Sequence, residues 1–189
     1  ATTPSYDLEK AIDQEYPVEG VTEESVREVL PRFLGEQEQI APLFSAKSVD
    51  GVRAYELARK QYREAHKEKT DVMTDFDHTV AETLNKQIIN ISGMELISFF
   101  PNGKESGPEL SDEGLRPNPR INVVDTSALH LPLAMIRIKC SKGTYIRALA
   151  RDLGEALGSG AHLNSLERTK SGGFTVGNCL SVNEVISVL

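Results

Sequence analysis

The sequence contains only two cysteines, Cys140 and Cys179. Two thiols cannot build a disulfide framework or a four-cysteine zinc site, and the expected state is free thiols in a reducing cytoplasm. No run of 18 apolar residues occurs, so no membrane-spanning helix is expected. No basic-then-apolar leader is present either, and nothing points to secretion. No glycine-rich phosphate loop follows a strand, and no serine lies in a nucleophile elbow, so neither a nucleotide-binding loop nor a hydrolase triad is supported. No repeat recurs at solenoid spacing.

What remains is ordinary globular composition: 189 residues, 39% hydrophobic and 26% charged. That length suits one domain or one large piece of one. The net charge of −7 argues against a generic nucleic-acid coat protein. The average hides an asymmetry. Ala134 to Thr175 carries seven Lys/Arg against three acids, a net +4, which leaves −11 on the rest. A basic face on an acidic body can still meet a polyanion, although a chance local excess explains the count equally well.

Ala1 to Pro17 has no clean period. Thr22 then offers an N-cap, Glu23 and Glu24 suit the positive helix end, and Val26, Val29, Leu30, Phe33 and Leu34 fall at helical spacing before Gly35. Pro31 should distort the last turn. Leu43 to Ala46 reads as extended, Asp50-Gly51 as a turn, and Arg53 to Glu64 as helical. His66 to Gln87 is charged and weakly patterned, while Lys86 to Phe100, with Ile88, Ile89, Ile91 and Ile97, reads as one or two strands. Pro101 to Arg120 holds three glycines, four prolines and almost no large apolar side chain, and reads as a flexible loop insertion.

The last third is the most legible. Ala134, Ile136, Ile138 and Cys140 alternate with Met135, Arg137 and Lys139, a period-2 strand with one basic edge. Ser141-Lys142-Gly143 is a tight turn. A helix follows with Ile146, Leu149, Ala150, Leu153, Ala156 and Leu157 on one face and Arg147, Arg151 and Glu155 on another, stopped by Gly158. Ser171-Gly172-Gly173 reads as a turn before Phe174. Ser181 with Glu184 makes a capping box for a short final helix.

Two groups of residues could carry chemistry. Asp75, Asp77, His78 and Glu82 have metal-ligating side chains but no metal-loop spacing, and read as a solvated helix start. The segment Ser141 to Arg147 (SKGTYIR) is more informative. Arg147 opens a helix, where acids are favoured, so it calls for a specific anion, either a buried carboxylate or a phosphate. The plainer reading is an exposed arginine paired with Glu155 or with solvent.

Cys140 to Leu157 (CSKGTYIRALARDLGEAL), continuing into Gly160-Ala161-His162-Leu163 and Leu166, closely resembles the TruB-type tRNA pseudouridine synthases. A second block matches upstream: Phe44-Ser45-Ala46-Lys47, Asp50-Gly51, Arg53-Ala54-Tyr55 and Ala58-Arg59. Ala1 to Pro17 and Thr22 to Gly35 resemble the stretch before it. The resemblance leaves out roughly Lys60 to Asn85 and Asn102 to Ser127. It implies isomerisation of a uridine to pseudouridine in the T-loop of tRNA: the glycosidic C–N bond breaks, the uracil turns and a C–C bond forms, on a base flipped out of the stack. No redox step or group transfer occurs, so no cofactor and no metal are expected. The implied fold is mixed α/β (α+β), a pseudouridine synthase-like core with a largely antiparallel sheet and flanking helices.

The family uses an aspartate in a Gly-x-Leu-Asp-Pro type motif, which this chain lacks; Asp7, Asp13 and Asp50 lie in other contexts. The chain therefore reads as the C-terminal portion of a single catalytic domain, with its N-terminal part missing, no PUA domain, and no activity expected by itself. By the resemblance, Arg147 pairs with the catalytic aspartate and Tyr145 lies near the flipped base. Leu166 lines an apolar pocket, and Lys142, Lys47 and Arg168 contact the RNA backbone. Glu167 stands where the family usually has another arginine. With its aspartate elsewhere, Arg147 of this chain is expected to be solvated or to hold a small anion. The expected partner is tRNA, and the expected state a cytoplasmic monomer. The alternative reading is a non-catalytic RNA-binding module that shares the fold.

Pro101 to Arg120 cannot bury enough apolar area to offset its ordering entropy. Its deletion from the full chain should leave unfolding free energy within ~1 kcal/mol of the parent in urea titrations. A large fall in midpoint would show that the segment packs.

Overall fold

Thr22 starts the first helix, α1 (Glu23–Val29), through a capping box. Its hydroxyl accepts the Ser25 amide at 3.2 Å while Ser25 Oγ accepts the Thr22 amide at 2.9 Å. Pro31 ends regular α geometry because it has no N–H to continue the ladder, and Leu30–Phe33 goes on as a 3-10 turn. Gly35 does more than close a helix: it opens strand β1 (Gly35–Gln39). The computed structural model describes residues 1–42, 48–49, 52–53, 86–103 and 124–188. The extended piece read at Leu43 to Ala46, the turn at Asp50-Gly51, the helix read over Arg53 to Glu64 apart from Arg53 itself, which is extended, the acidic group around Asp75, and all but the first three residues of Pro101 to Arg120 lie outside these residues. Within them, β2 (Ser48–Val49) pairs antiparallel with β3 (Val52–Arg53).

The main sheet has the order β1, β4 (Gln87–Phe100), β5 (Leu133–Cys140), antiparallel throughout. The stretch read as one or two strands is one long strand, β4, along which the side chains do not alternate evenly. Its register against β5 shifts between Ile91 and Gly93 and again between Leu96 and Ser98, each time with one extra residue on β4. An extra residue flips the parity of the side chains that follow. The core-facing positions accordingly run Ile89 and Ile91, then Met94 and Leu96, then Phe99. On β5 the alternation is regular: Ala134, Ile136 and Ile138 pack on the core, and Met135, Arg137 and Lys139 are exposed. Cys140 breaks the pattern, being exposed; like Cys179, it is a free thiol.

One face of the sheet is covered. Ile89, Ile91 and Leu96 meet Val26, Val29 and Leu30, and they meet Leu149 and Leu153 of helix α2 (Ile146–Ala156). Each large apolar side chain buried here contributes about 1.5–3 kcal/mol. The opposite face carries exposed ion pairs, Arg137–Glu95 at 3.1 Å and Lys86–Glu38 at 2.9 Å, of a kind that contributes little. After α2 the chain forms a small hairpin, β6 (Lys170–Ser171) with β7 (Phe174–Thr175), around the turn expected at Gly172-Gly173. Helix α3 (Val182–Val188) is capped as its sequence predicts: Ser181 Oγ accepts the Glu184 amide, and Glu184 Oε2 accepts the Ser181 amide. The architecture is mixed α and β with antiparallel pairing, as expected.

Gly154 lies in the last turn of α2 and is buried. The segment after the helix folds back against it. A Cβ there would overlap the Ala161 amide nitrogen and approach the Gly160 carbonyl carbon to 2.8 Å. Gly154→Ala gains ~1 kcal/mol of helix propensity. Overpacking against backbone costs ~1–3 kcal/mol or more and wins. The variant should unfold at lower urea concentration; a midpoint at or above the parent's would show that the returning segment yields.

Candidate active site

Arg147 occupies the first turn of α2. Its Nη1 donates to Asp7 Oδ2 at 2.9 Å and to the Ser5 carbonyl at 3.3 Å. The two side chains are 25% and 19% exposed, so the pair is shielded without being dry. This corrects the expectation that Arg147 would be solvated or hold a small anion. The first ten residues loop back across the start of α2 and deliver a carboxylate of this same chain.

The carboxylate is itself held. Asp7 Oδ1 accepts Ser5 Oγ at 2.6 Å and the Glu9 amide at 3.0 Å. Thr3 Oγ1 donates to the Asp7 carbonyl at 2.6 Å and accepts the Asp7 amide at 3.1 Å. Thr3 and Ser5 are buried. Tyr6 adopts a left-handed backbone (φ 56°), strained for a residue with a Cβ. Its carbonyl accepts the Leu163 amide at 2.9 Å, which closes the loop onto the segment after α2. Arg151, one turn beyond Arg147, lies 5.7 Å from the Tyr6 ring centre and also donates to Asp152 and to the Ile40 carbonyl. The basic stripe of α2 therefore faces specific acceptors rather than Glu155.

Upstream of Arg147, Gly143 has φ +91°, which permits the tight turn from β5 into α2. Tyr145 sits at the N-cap of α2 with a half-buried side chain. Its backbone is gripped by the side chain of Gln39, which accepts the Tyr145 amide at 2.8 Å and donates to the Tyr145 carbonyl at 3.1 Å. Lys142 and Arg168 are exposed, and Leu166 is 59% exposed. Lys47 lies outside the described residues. Among the described residues, no helix is long and apolar enough to cross a membrane, and no group of three His, Cys, Asp or Glu is placed to hold a metal ion.

Residues 1–98 match the family model described as TruB family pseudouridylate synthase, N-terminal domain. The chain belongs to the TruB family. Residues 147–189 match a second model, the tRNA pseudouridylate synthase B C-terminal domain, which begins at Arg147. Among its relatives, the tRNA pseudouridine synthase B of Parabacteroides distasonis is 42% identical over 97% of this chain and 58% of its own length. That of Phocaeicola vulgatus is 42% identical over 96% and 57%, and that of Deinococcus radiodurans 33% identical over 98% and 55%. This TruB-family chain thus spans a little over half the length of the curated relatives it matches.

The sequence singles out Arg147 and Tyr145 but not their partners in the fold, Asp7 and Gln39. Asp7 gave one weak signal, its place between Ser5 and Glu9 in a segment with no secondary-structure period. Gln39 gave none. His162 was noted only as part of a motif. Its Nδ1–H donates to the Ala1 carbonyl at 2.9 Å. Burial lowers its pKa from the ordinary 6.5, outweighing that hydrogen bond and the attraction of Asp7 and Asp13. The folded state therefore binds the imidazole proton less readily than the unfolded state does. The resulting stability is complete above the unfolded value near 6.5 and is lost as pH falls through the lower folded value. Urea midpoints between pH 7.5 and 5 should decline on the acid side, and less steeply in His162→Gln; equal slopes would remove His162 as a cause.

Proposed function

We propose that this chain is part of a tRNA pseudouridine synthase that isomerises a uridine of the T-loop. The observation that carries the reading is Arg147, a cation at the start of a helix, locked to a carboxylate at the end of the SKGTY turn. A planar guanidinium can hold carboxylates in fixed orientation and keep them ionised. In the proposed reaction the target nucleotide is flipped out of the stack, and an aspartate in the family's Gly-x-Leu-Asp-Pro type motif initiates the chemistry. Arg147 holds that aspartate ionised and aimed at the sugar–base bond, and Asp7 holds Arg147. Tyr145 flanks the flipped uracil. Leu166 contributes apolar surface, and Lys142, Lys47 and Arg168 neutralise phosphates. The C1′–N1 bond breaks, the uracil rotates, C1′ bonds to C5, the proton on C5 leaves, and N1 takes up a proton, so the product is an isomer of the uridine. Nothing is oxidised and no group leaves the RNA, so the reaction needs no cofactor. A cytoplasmic enzyme acting as a monomer suits this chemistry.

The test is single-turnover pseudouridine formation on unmodified tRNA by the full chain as its gene encodes it. Arg147→Ala should lose about 3 kcal/mol of transition-state stabilisation, roughly a hundredfold in rate. Arg147→Lys should rescue poorly, because an ammonium lacks the planar fork. Affinity for tRNA rests on many phosphate contacts and should change far less. Near-parental turnover in either variant would remove Arg147 from the chemistry. Binding with no pseudouridine formed by the parent would favour a non-catalytic RNA-binding module.

A further inference from the structure

Strand β1 ends in Gln39, a residue only 2% exposed, although glutamine is seldom so deeply buried. Burying a primary amide is unfavourable unless both of its ends are paired. Here both are paired to one distant residue. Oε1 accepts the Tyr145 amide at 2.8 Å, and Nε2 donates to the Tyr145 carbonyl at 3.1 Å. That carbonyl also accepts the Leu149 amide at 3.1 Å, the first hydrogen bond of α2. Gln39 therefore reads the backbone of Tyr145 as a neighbouring strand would, across a separation of 106 residues.

A second amide grips the same turn. Gln87 stands directly opposite Gln39 in the β1–β4 register, and its Nε2 donates to the Gly143 carbonyl at 2.6 Å. Asn90, further along β4, exchanges two bonds with Ser141: its amide donates to Ser141 Oγ at 2.9 Å, and its carbonyl accepts the Ser141 amide at 2.8 Å. The chain just past Gln39 adds an anchor one turn and a half along the helix, where the Ile40 carbonyl accepts Arg151 Nη2 at 3.3 Å. Helix α2 has no side-chain cap of its own at Tyr145. Its starting point is set from outside, by the ends of β1 and β4.

We propose that Gln39, assisted by Gln87, is a positioning residue: it fixes the backbone of Tyr145, and through it the start of the helix that carries Arg147, for turnover on tRNA. This rests on the function proposed above. Only glutamine meets the geometric requirement. Glutamate offers no donor to the Tyr145 carbonyl while ionised, asparagine is one methylene short, and methionine matches the length but pairs with neither group. A reacting constellation displaced by an ångström loses up to about a hundredfold in rate, while phosphate contacts spread over a long RNA barely change.

The experiment uses the full chain with Gln39→Met, Gln39→Glu and Gln87→Ala. It reads single-turnover rate at saturating tRNA, tRNA affinity, melting temperature, and hydrogen exchange at the Tyr145 amide. Gln39→Met should slow turnover between about tenfold and a hundredfold, assayed well below its melting temperature, with tRNA affinity within about threefold of the parent. Gln87→Ala, which leaves the Gln39 bonds in place, should slow it less. Gln39→Glu should be slow at neutral pH and recover relative to the parent as pH falls, because a protonated carboxyl regains the donor that Tyr145 needs. Exchange at the Tyr145 amide should accelerate in Gln39→Met. Parental turnover in folded Gln39→Met, unchanged exchange at Tyr145, or a rate loss in Gln39→Glu that no pH recovers would each overturn the assignment. The exchange measurement needs no activity, and the parent's own turnover reports separately on the function.

Discussion

Arg147 begins a helix at the end where the peptide dipoles repel a cation, and Asp7 makes that placement tolerable. The pair joins residues 140 apart, and much of the surrounding arrangement follows from it. Reaching Arg147 forces the first ten residues to cross the start of α2. Crossing there forces Tyr6 into a left-handed backbone and buries Thr3 and Ser5, whose hydroxyls then bond around Asp7. The Leu163 amide, donating to the Tyr6 carbonyl, ties the loop to the segment that folds back over Gly154. A helix, a loop without period and a returning strap are thereby organised around one charge.

The sheet contributes from the other side. β4 and β5 bury one face against α1 and α2, and this apolar contact supplies most of the stability. The ends of β1 and β4 do something else: Gln39, Gln87 and Asn90 present amides and carbonyls to the Ser141–Tyr145 turn. The start of α2 is thus held between a hydrogen-bonded loop carrying Asp7 and a hydrogen-bonded sheet end carrying Gln39. Neither set of bonds covers much apolar surface. Each specifies where a backbone atom or a guanidinium lies.

What could be read from residues alone divides along the same line. Local rules were legible: the Thr22 and Ser181 caps, the distortion at Pro31, the alternation of β5 and the turn at Gly172-Gly173 all depend on neighbours within a few positions. The inner face of α2 was partly legible from its period: Leu149 and Leu153 are buried as expected, but Ala156 is exposed, and Ala148 and Gly154 were too small to register as core. β4 was only half legible, because two extra residues flip its parity. The need of Arg147 for an anion followed from the helix dipole, but the identity of that anion depends on a contact 140 residues away, in a segment with no periodic signal. Gln39 was invisible for the same reason. In sequence it is one polar residue among Glu36, Gln37 and Glu38, and only the fold shows that its amide points inward.

The energetics of the Arg147–Asp7 pair argue for a task beyond stability. With about a fifth to a quarter of each side chain exposed, its Coulomb attraction is partly screened and its net contribution is modest. Against that stand a strained Tyr6, two buried hydroxyl-bearing residues and a guanidinium placed against the helix dipole. Apolar residues of similar volume would hold loop and helix together at least as well. What they could not do is fix the plane and position of a positive charge at the mouth of the SKGTY turn. A site that must keep a carboxylate ionised and aimed requires such a charge, prepared before substrate arrives. On the function proposed above, the polar groups around Arg147 are preorganisation, with the hydrophobic sheet face bearing the cost of folding elsewhere.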